Sequence, residues 1–95
     1  MNRHTEDPVA REVVVHGRVQ GVFFRDSCRQ EACAAGAVGW VRNEPDGTVR
    51  AWFEGPPPAV DHMVGWVHEG PRRAAVDHVD VRSVAPSGAH RFEVR

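Results

Sequence analysis

The sequence has no lysine. Its Lys/Arg total of 12 is arginine throughout, set against 13 Asp and Glu, for a formal net charge of −1. Without a positive excess, no broad electrostatic footprint for nucleic acid or an anionic membrane is expected. The arginine bias, beside abundant Ala and Val, reads as genome composition. Long apolar runs are also missing, so no membrane-spanning helix is expected. The opening "MNRHTEDPVA" lacks the apolar segment of a secretory signal and is read as a flexible tail, residues 1–10. Cysteine is scarce. Cys28 and Cys33 are too few for a disulfide framework. On one helix, five positions would turn them roughly 140° apart, so pairing would break the helix. Two reduced thiols suit a cytoplasmic protein.

What is there is an ordinary globular composition of 41% apolar and 26% charged residues. A chain of 95 residues buries one modest core, so residues 11–95 are expected to form a single domain. "REVVVHG", residues 11–17, is β-branched and short and predicts a first strand. In "FFRDSCRQEACAAG", Phe24, Cys28, Ala32 and Ala35 recur at near-helical spacing, and Gly36 is a stop. "AVGWVRN" and "TVRAWFEG" predict two strands around "EPDG", a hairpin signal. In the second of these, Val49, Ala51 and Phe53 alternate with Arg50, Trp52 and Glu54, which suggests one covered face and one wetter face.

"PPPAVDHMVGWVHEG" predicts a second helix through the stripe of Val60, Met63, Val64 and Val67. "AAVDHVDVRSV" predicts a fourth strand, with Val79 and Val81 inward. "HRFEVR" predicts a last edge strand. The order is βαββαβ plus a short fifth strand. It specifies an α+β ferredoxin-like sandwich, with two helices on one face of an antiparallel sheet.

Arg25 is the informative oddity. It sits where the first helix begins, at the positive end of the macrodipole, which costs roughly 0.3–1 kcal/mol. An anion bound there would reverse the sign. The loop of Gly17, Arg18, Val19, Gln20, Gly21 and Val22 can aim successive amides at one point, and Arg25 adds a planar fork. From the loop alone, a plain glycine turn with a solvated arginine is the commoner outcome. The topology adds more: the first and second strands run the same way. Their upper ends, and hence the loop, Arg25 and Asn43, converge. Asn43 offers an acceptor and two donors without charge.

"GRVQGVFFR", "GWVRNEPDGTVRAWFEG" and "GPRRAAVDHVDV" resemble the acylphosphatase family from about Val13 to Phe92. The resemblance implies the same fold and hydrolysis of the carboxyl–phosphate bond of acyl phosphates. It implies that Arg25 and the Gly17–Val22 amides, above all those of Val19 to Val22, bind phosphate. It implies that Asn43 orients the attacking water. Inorganic phosphate would be product and inhibitor. The expected protein is a cytoplasmic monomer with no cofactor, metal, nucleic-acid or membrane partner. Glu44 and the terminal Arg95, where several relatives carry tyrosine, depart from the pattern. A non-catalytic anion-binding or regulatory domain is the alternative.

Other constellations are weaker. The six histidines, at positions 4, 16, 62, 68, 78 and 90, show no ligand spacing. His16, near the loop, reads as a strand-end residue with a backbone partner. Trp40, Trp52 and Trp66 read as packing residues.

Overall fold

The computed structural model describes residues 7–95. The chain runs β1 (Val9–Arg18), α1 (Phe24–Ala35), β2 (Val38–Asn43), β3 (Val49–Gly55), α2 (Pro57–Val67), β4 (Ala75–Val84) and β5 (Phe92–Val94). Much of the expected tail, including His4, lies outside the described residues. Its last two positions belong to β1. Val9 pairs with Gly55, and Ala10 pairs with both Glu54 and Val84. Partners on both sides extend the strand beyond its β-branched run.

Period-two alternation sets the faces. Val13 and Val15 on β1, and Val49, Ala51 and Phe53 on β3, are buried. They meet Phe24, Cys28 and Ala32 of α1, and Ala59, Val60, Met63 and Val67 of α2. Gly36 ends α1, its amide donating to Ala32 O at 2.9 Å. Phe24 meets Trp66 edge-on at 5.4 Å, tying the helix starting at the loop to the second helix. Met63 is fully buried, so truncating it to Ala would cost about 2–5 kcal/mol.

The sheet order is β4-β1-β3-β2-β5. The sheet is mixed, not antiparallel as expected, because β5 pairs parallel with β2. Chain direction gives the reason. With β1 running up, its antiparallel partners β3 and β4 run down, and β2 runs up. The connection from β4 stays at the lower end and crosses to the opposite edge, so β5 enters running up. Val81 also differs from expectation. It pairs with buried Val13 but is 45% exposed, because β4 is an edge strand.

Glu54 holds that crossing. Its carboxylate accepts from the amides of Ser87 (2.9 Å), Gly88 (2.7 Å) and Ala89 (3.2 Å), from Ser87 Oγ (2.8 Å) and from Trp52 Nε1 (2.9 Å). Burial alone would raise its pKa. The donors from Ser87, Trp52 and Gly88 outweigh burial and hold it at about 2. On the face away from the helices, Trp40 stacks with Trp52 at 6.4 Å. The Arg42 and Arg95 guanidinium groups lie over Trp40 at 4.8 and 5.2 Å.

Candidate active site

The end of β1 is bent by a register shift against β4 between His16 and Gly17. Gly17 has φ +126°, and a Cβ there would sit 2.2 Å from Ala75 O. No larger residue fits this close approach. The chain then leaves the sheet as the loop 19–23, with Gly21 at φ +75°. Phe23 follows at φ 63°, ψ 28°, as the residue capping α1. Among the described residues it is the one non-glycine at positive φ. That conformation costs an L-residue roughly 1–2 kcal/mol. Strain of this kind persists where the surroundings impose it and clusters at functional sites.

The loop leaves donors free. Among the described residues, no backbone carbonyl accepts from the amides of Val19 to Phe23. They adjoin the first amides of α1, which lack intrahelical partners as in any helix. Arg25, half-buried in that first turn, donates through Nη1 to the main-chain oxygen of Arg95 at 3.2 Å. The upward course of β5 makes this contact possible, and Arg95 N donates in turn to Val41 O at 2.8 Å.

Asn43 closes β2 opposite Val49. Its hairpin is built by Pro45, by a turn bond from Gly47 N to Glu44 O (3.1 Å), and by Glu44 N donating to Thr48 O (2.9 Å). Gly47 takes φ +92°, which fits a type I turn followed by a left-handed residue. Asp46 Oδ1 accepts from Thr48 Oγ1 (2.7 Å) and Thr48 N (3.0 Å), and these bonds hold its carboxyl below its usual range. Asn43 Oδ1 is buried and, among the described residues, has no hydrogen-bond partner. A buried acceptor left unpaired costs about 1–3 kcal/mol.

Arg25 and Asn43 line one cleft of about 390 Å³ with Val19 and Gly21. The other expected loop residues do different work. Gly17 and Arg18 are paired in β1 with Val76 and Ala75, and Arg18 Nη2 donates to Arg73 O at 3.2 Å. Val22 is buried in the core. Gln20 turns its amide to the hairpin, donating to Glu44 O (2.8 Å) and Thr48 O (2.9 Å). Glu44 is drawn toward Arg42 (2.5 Å) and Arg50 (3.9 Å), which offset its charge.

Sequence reasoning missed four lining residues: Phe23, Phe24, Asp26 and Val94. Phe23 had a signal, since it falls outside the stripe of Phe24, Cys28 and Ala32. Asp26 is an acid in a first helical turn, where the dipole favours it. Val94 had none, because its position depends on the parallel docking of β5. A larger hollow of about 590 Å³ beside Trp40, Ser87 and Arg91 includes neither Arg25 nor Asn43. His16 pairs with a side chain, not the backbone: Asp80 receives His16 Nε2 at 2.9 Å and His78 Nε2 at 2.7 Å. Among the described residues, no group of three or more His, Cys, Asp or Glu is arranged to hold a metal ion.

Fold and cleft together define a ferredoxin-like domain with an arginine and unpaired amides at one end of its sheet. Residues 11–94 match the acylphosphatase family model. An acylphosphatase of Rubrobacter xylanophilus is 58% identical over 84 residues, covering 87% of this chain and 76% of that relative. One from a Nocardioides species is 55% identical over 86 residues, 90% of this chain and 87% of the relative. A solved acylphosphatase structure from Coxiella burnetii superposes with a TM-score of 0.90 at 35% identity, covering 94% of each chain. This chain belongs to the acylphosphatase family.

Proposed function

We propose that the chain hydrolyses the carboxyl–phosphate bond of acyl phosphates, releasing a carboxylate and inorganic phosphate. One observation carries the reading: Arg25 and Asn43, the latter with a buried Oδ1 that has no partner among the described residues, line the same cleft. The phosphoryl group sits at the start of α1. Arg25 grips it with a planar fork, and the loop amides, with those of Val19 and Gly21 nearest the cleft, donate to its oxygens. The field of Arg25 and the helix dipole then add over a dianion. The Asn43 side-chain amide binds the attacking water and holds it in line with the leaving carboxylate.

The chemistry asks little more. The carboxylate is a weak base and leaves without a proton. The loose transition state of phosphoryl transfer is served mainly by positioning and charge stabilisation. The water's proton passes to a phosphate oxygen of the substrate. A cleft already rich in N–H donors supplies the neutralisation that a metal would otherwise bring, so turnover proceeds without one. A monomer in a reducing, cytoplasmic setting completes the proposal; two free cysteines support the latter.

The test is hydrolysis of benzoyl phosphate by the purified chain. Turnover that persists in excess EDTA, with inorganic phosphate as a competitive inhibitor, is the expected result. Phosphate binding without turnover of any acyl phosphate would reduce the protein to an anion-binding module.

A further inference from the structure

Three large hydrophobic side chains are exposed among the described residues: Phe23 at 68%, Val81 at 45% and Val94 at 38%. Two of them, Phe23 and Val94, line the cleft that holds Arg25 and Asn43. They come from opposite ends of the chain, one from the loop and one from β5. The cleft therefore combines polar side chains with exposed apolar ones. Phe23 is also the residue held at φ 63°, a conformation in which glycine or asparagine would be unstrained. An aromatic ring there is both strained and wet. No other aromatic ring stacks on it among the described residues. Its neighbour Phe24, by contrast, is 2% exposed and packed on Trp66.

An acyl phosphate has a matching asymmetry. One end is a dianion and the other is whatever the acyl group carries. We infer that Phe23, with Val94 in the lining of the same cleft, is a specificity-determining wall that selects acyl phosphates with apolar, and preferentially aromatic, acyl groups. This rests on the hydrolase reading above and names the substrate class of that same cleft. The phosphate is fixed by Arg25 and the loop amides. The carbonyl substituent then meets the apolar part of the lining, where contact with the Phe23 ring removes both surfaces from water. Offset or edge-to-face aromatic contact adds to plain burial. A small or charged acyl group gains nothing from this wall.

Phe23→Gly removes the ring and relieves the left-handed strain, so it tests recognition without threatening the fold. Phe23→Asn tolerates the same backbone and adds a polar side chain. Two ratios are read in each. The first is kcat/KM for benzoyl phosphate over acetyl phosphate. The second is the affinity for phenylphosphonate over methylphosphonate, two non-hydrolysable probes, measured by calorimetry. Native protein is expected to prefer the aromatic member of each pair. Both variants are expected to lower both ratios by about three- to tenfold, tenfold being about 1.4 kcal/mol. A ratio that is unity in the native protein, or unchanged in the variants, overturns the inference. If native protein turns over neither acyl phosphate yet shows a phenylphosphonate preference that the variants lose, the wall stands and the hydrolase reading falls. Turnover of neither acyl phosphate together with binding of neither phosphonate overturns both.

Discussion

Gln20 is clamped to Glu44. Its side-chain amide donates to the Glu44 carbonyl at 2.8 Å and, through the same nitrogen, to Thr48 O at 2.9 Å. The loop that carries the free amides is thus tied to the hairpin that carries Asn43, one residue before Glu44. Gln20 need not touch a substrate to matter. Removing it with Gln20→Ala deletes two hydrogen bonds worth roughly 0.5–1.5 kcal/mol each. The melting temperature should fall by several degrees. Because loop and hairpin would then drift apart, kcat should fall by about 10- to 100-fold. Thermal unfolding and steady-state kinetics read the two effects separately. A lower melting temperature with normal kcat would make the clamp purely structural.

Arg25→Ala should abolish turnover and weaken phosphate binding severely. Hydrogen bonds to charged groups contribute about 1.5–3 kcal/mol each, and a fork makes two. Arg25→Lys should fail as well, since a point charge reproduces neither the fork nor the bond to the Arg95 oxygen at its present geometry. The inhibition constant of phosphate is the measurement. Near-normal values for the lysine variant would sink the bidentate role.

Asn43 has a different job and should show a different signature. Asn43→Ala should lower kcat by on the order of 10²–10³ while leaving the inhibition constant for phosphate within a few-fold. Loss of a group that acts mainly in the transition state appears in kcat. The variant should also keep a near-native melting temperature, because Asn43 closes a hairpin opposite Val49 and does not fill the core. Equal loss of phosphate binding in the Asn43 and Arg25 alanine variants would argue against water orientation.

Glu54 should control the acid limb of stability. Its folded pKa, about 2, lies below the ordinary value of 4.5. The unfolded chain therefore binds a proton more readily than the folded one as pH falls. The stabilisation is complete above about pH 4.5 and is lost between there and about pH 2, in total on the order of 3 kcal/mol. Glu54→Gln removes the titration. Its melting temperature should start lower at pH 7 and change less between pH 5 and 2 than that of native protein. Parallel curves for the two proteins would show that other carboxylates dominate.

The two thiols should behave differently in native protein. Cys33 is exposed and Cys28 is buried. Burial, with Glu31 nearby, pushes the Cys28 thiol well above its usual range, which withholds the reactive thiolate. Thiol titration should find one fast cysteine in folded protein and two after denaturation. Two fast thiols in folded protein would mean that α1 opens.

Arg25 and Asn43 were legible because each is a polar residue at a place where a regular element starts or ends. The strand directions alone brought them together. The alternation in β3 and the stripe in α2 were legible for the same reason: a local period reports a face. The parallel docking of β5 was not, because three residues carry no period and their direction depends on where the previous connection crosses. Val94 and the Arg25–Arg95 contact went with it. The strain at Phe23 was also hidden. Helical spacing points Phe24 rather than Phe23 to the core, but nothing in "VFFR" announces the positive φ of Phe23, which runs against local preference for a bulky residue. Phe24 packs on Trp66 at 5.4 Å, and Phe23 is left outside the core.

The edge strand β4 has a consequence for concentrated solutions. Ten residues long and hydrogen-bonded to β1 on one side only, it offers its outer backbone row to any strand that can lie against it. Asp77, Asp80 and Arg82, all exposed on this strand, guard the row with charge rather than bulk. Val81 sits among them, 45% exposed. A guard made of exposed charge is screened by salt, with a Debye length of about 3 Å at 1 M. Added salt should therefore weaken the charge guard on β4, at the sheet edge opposite β5.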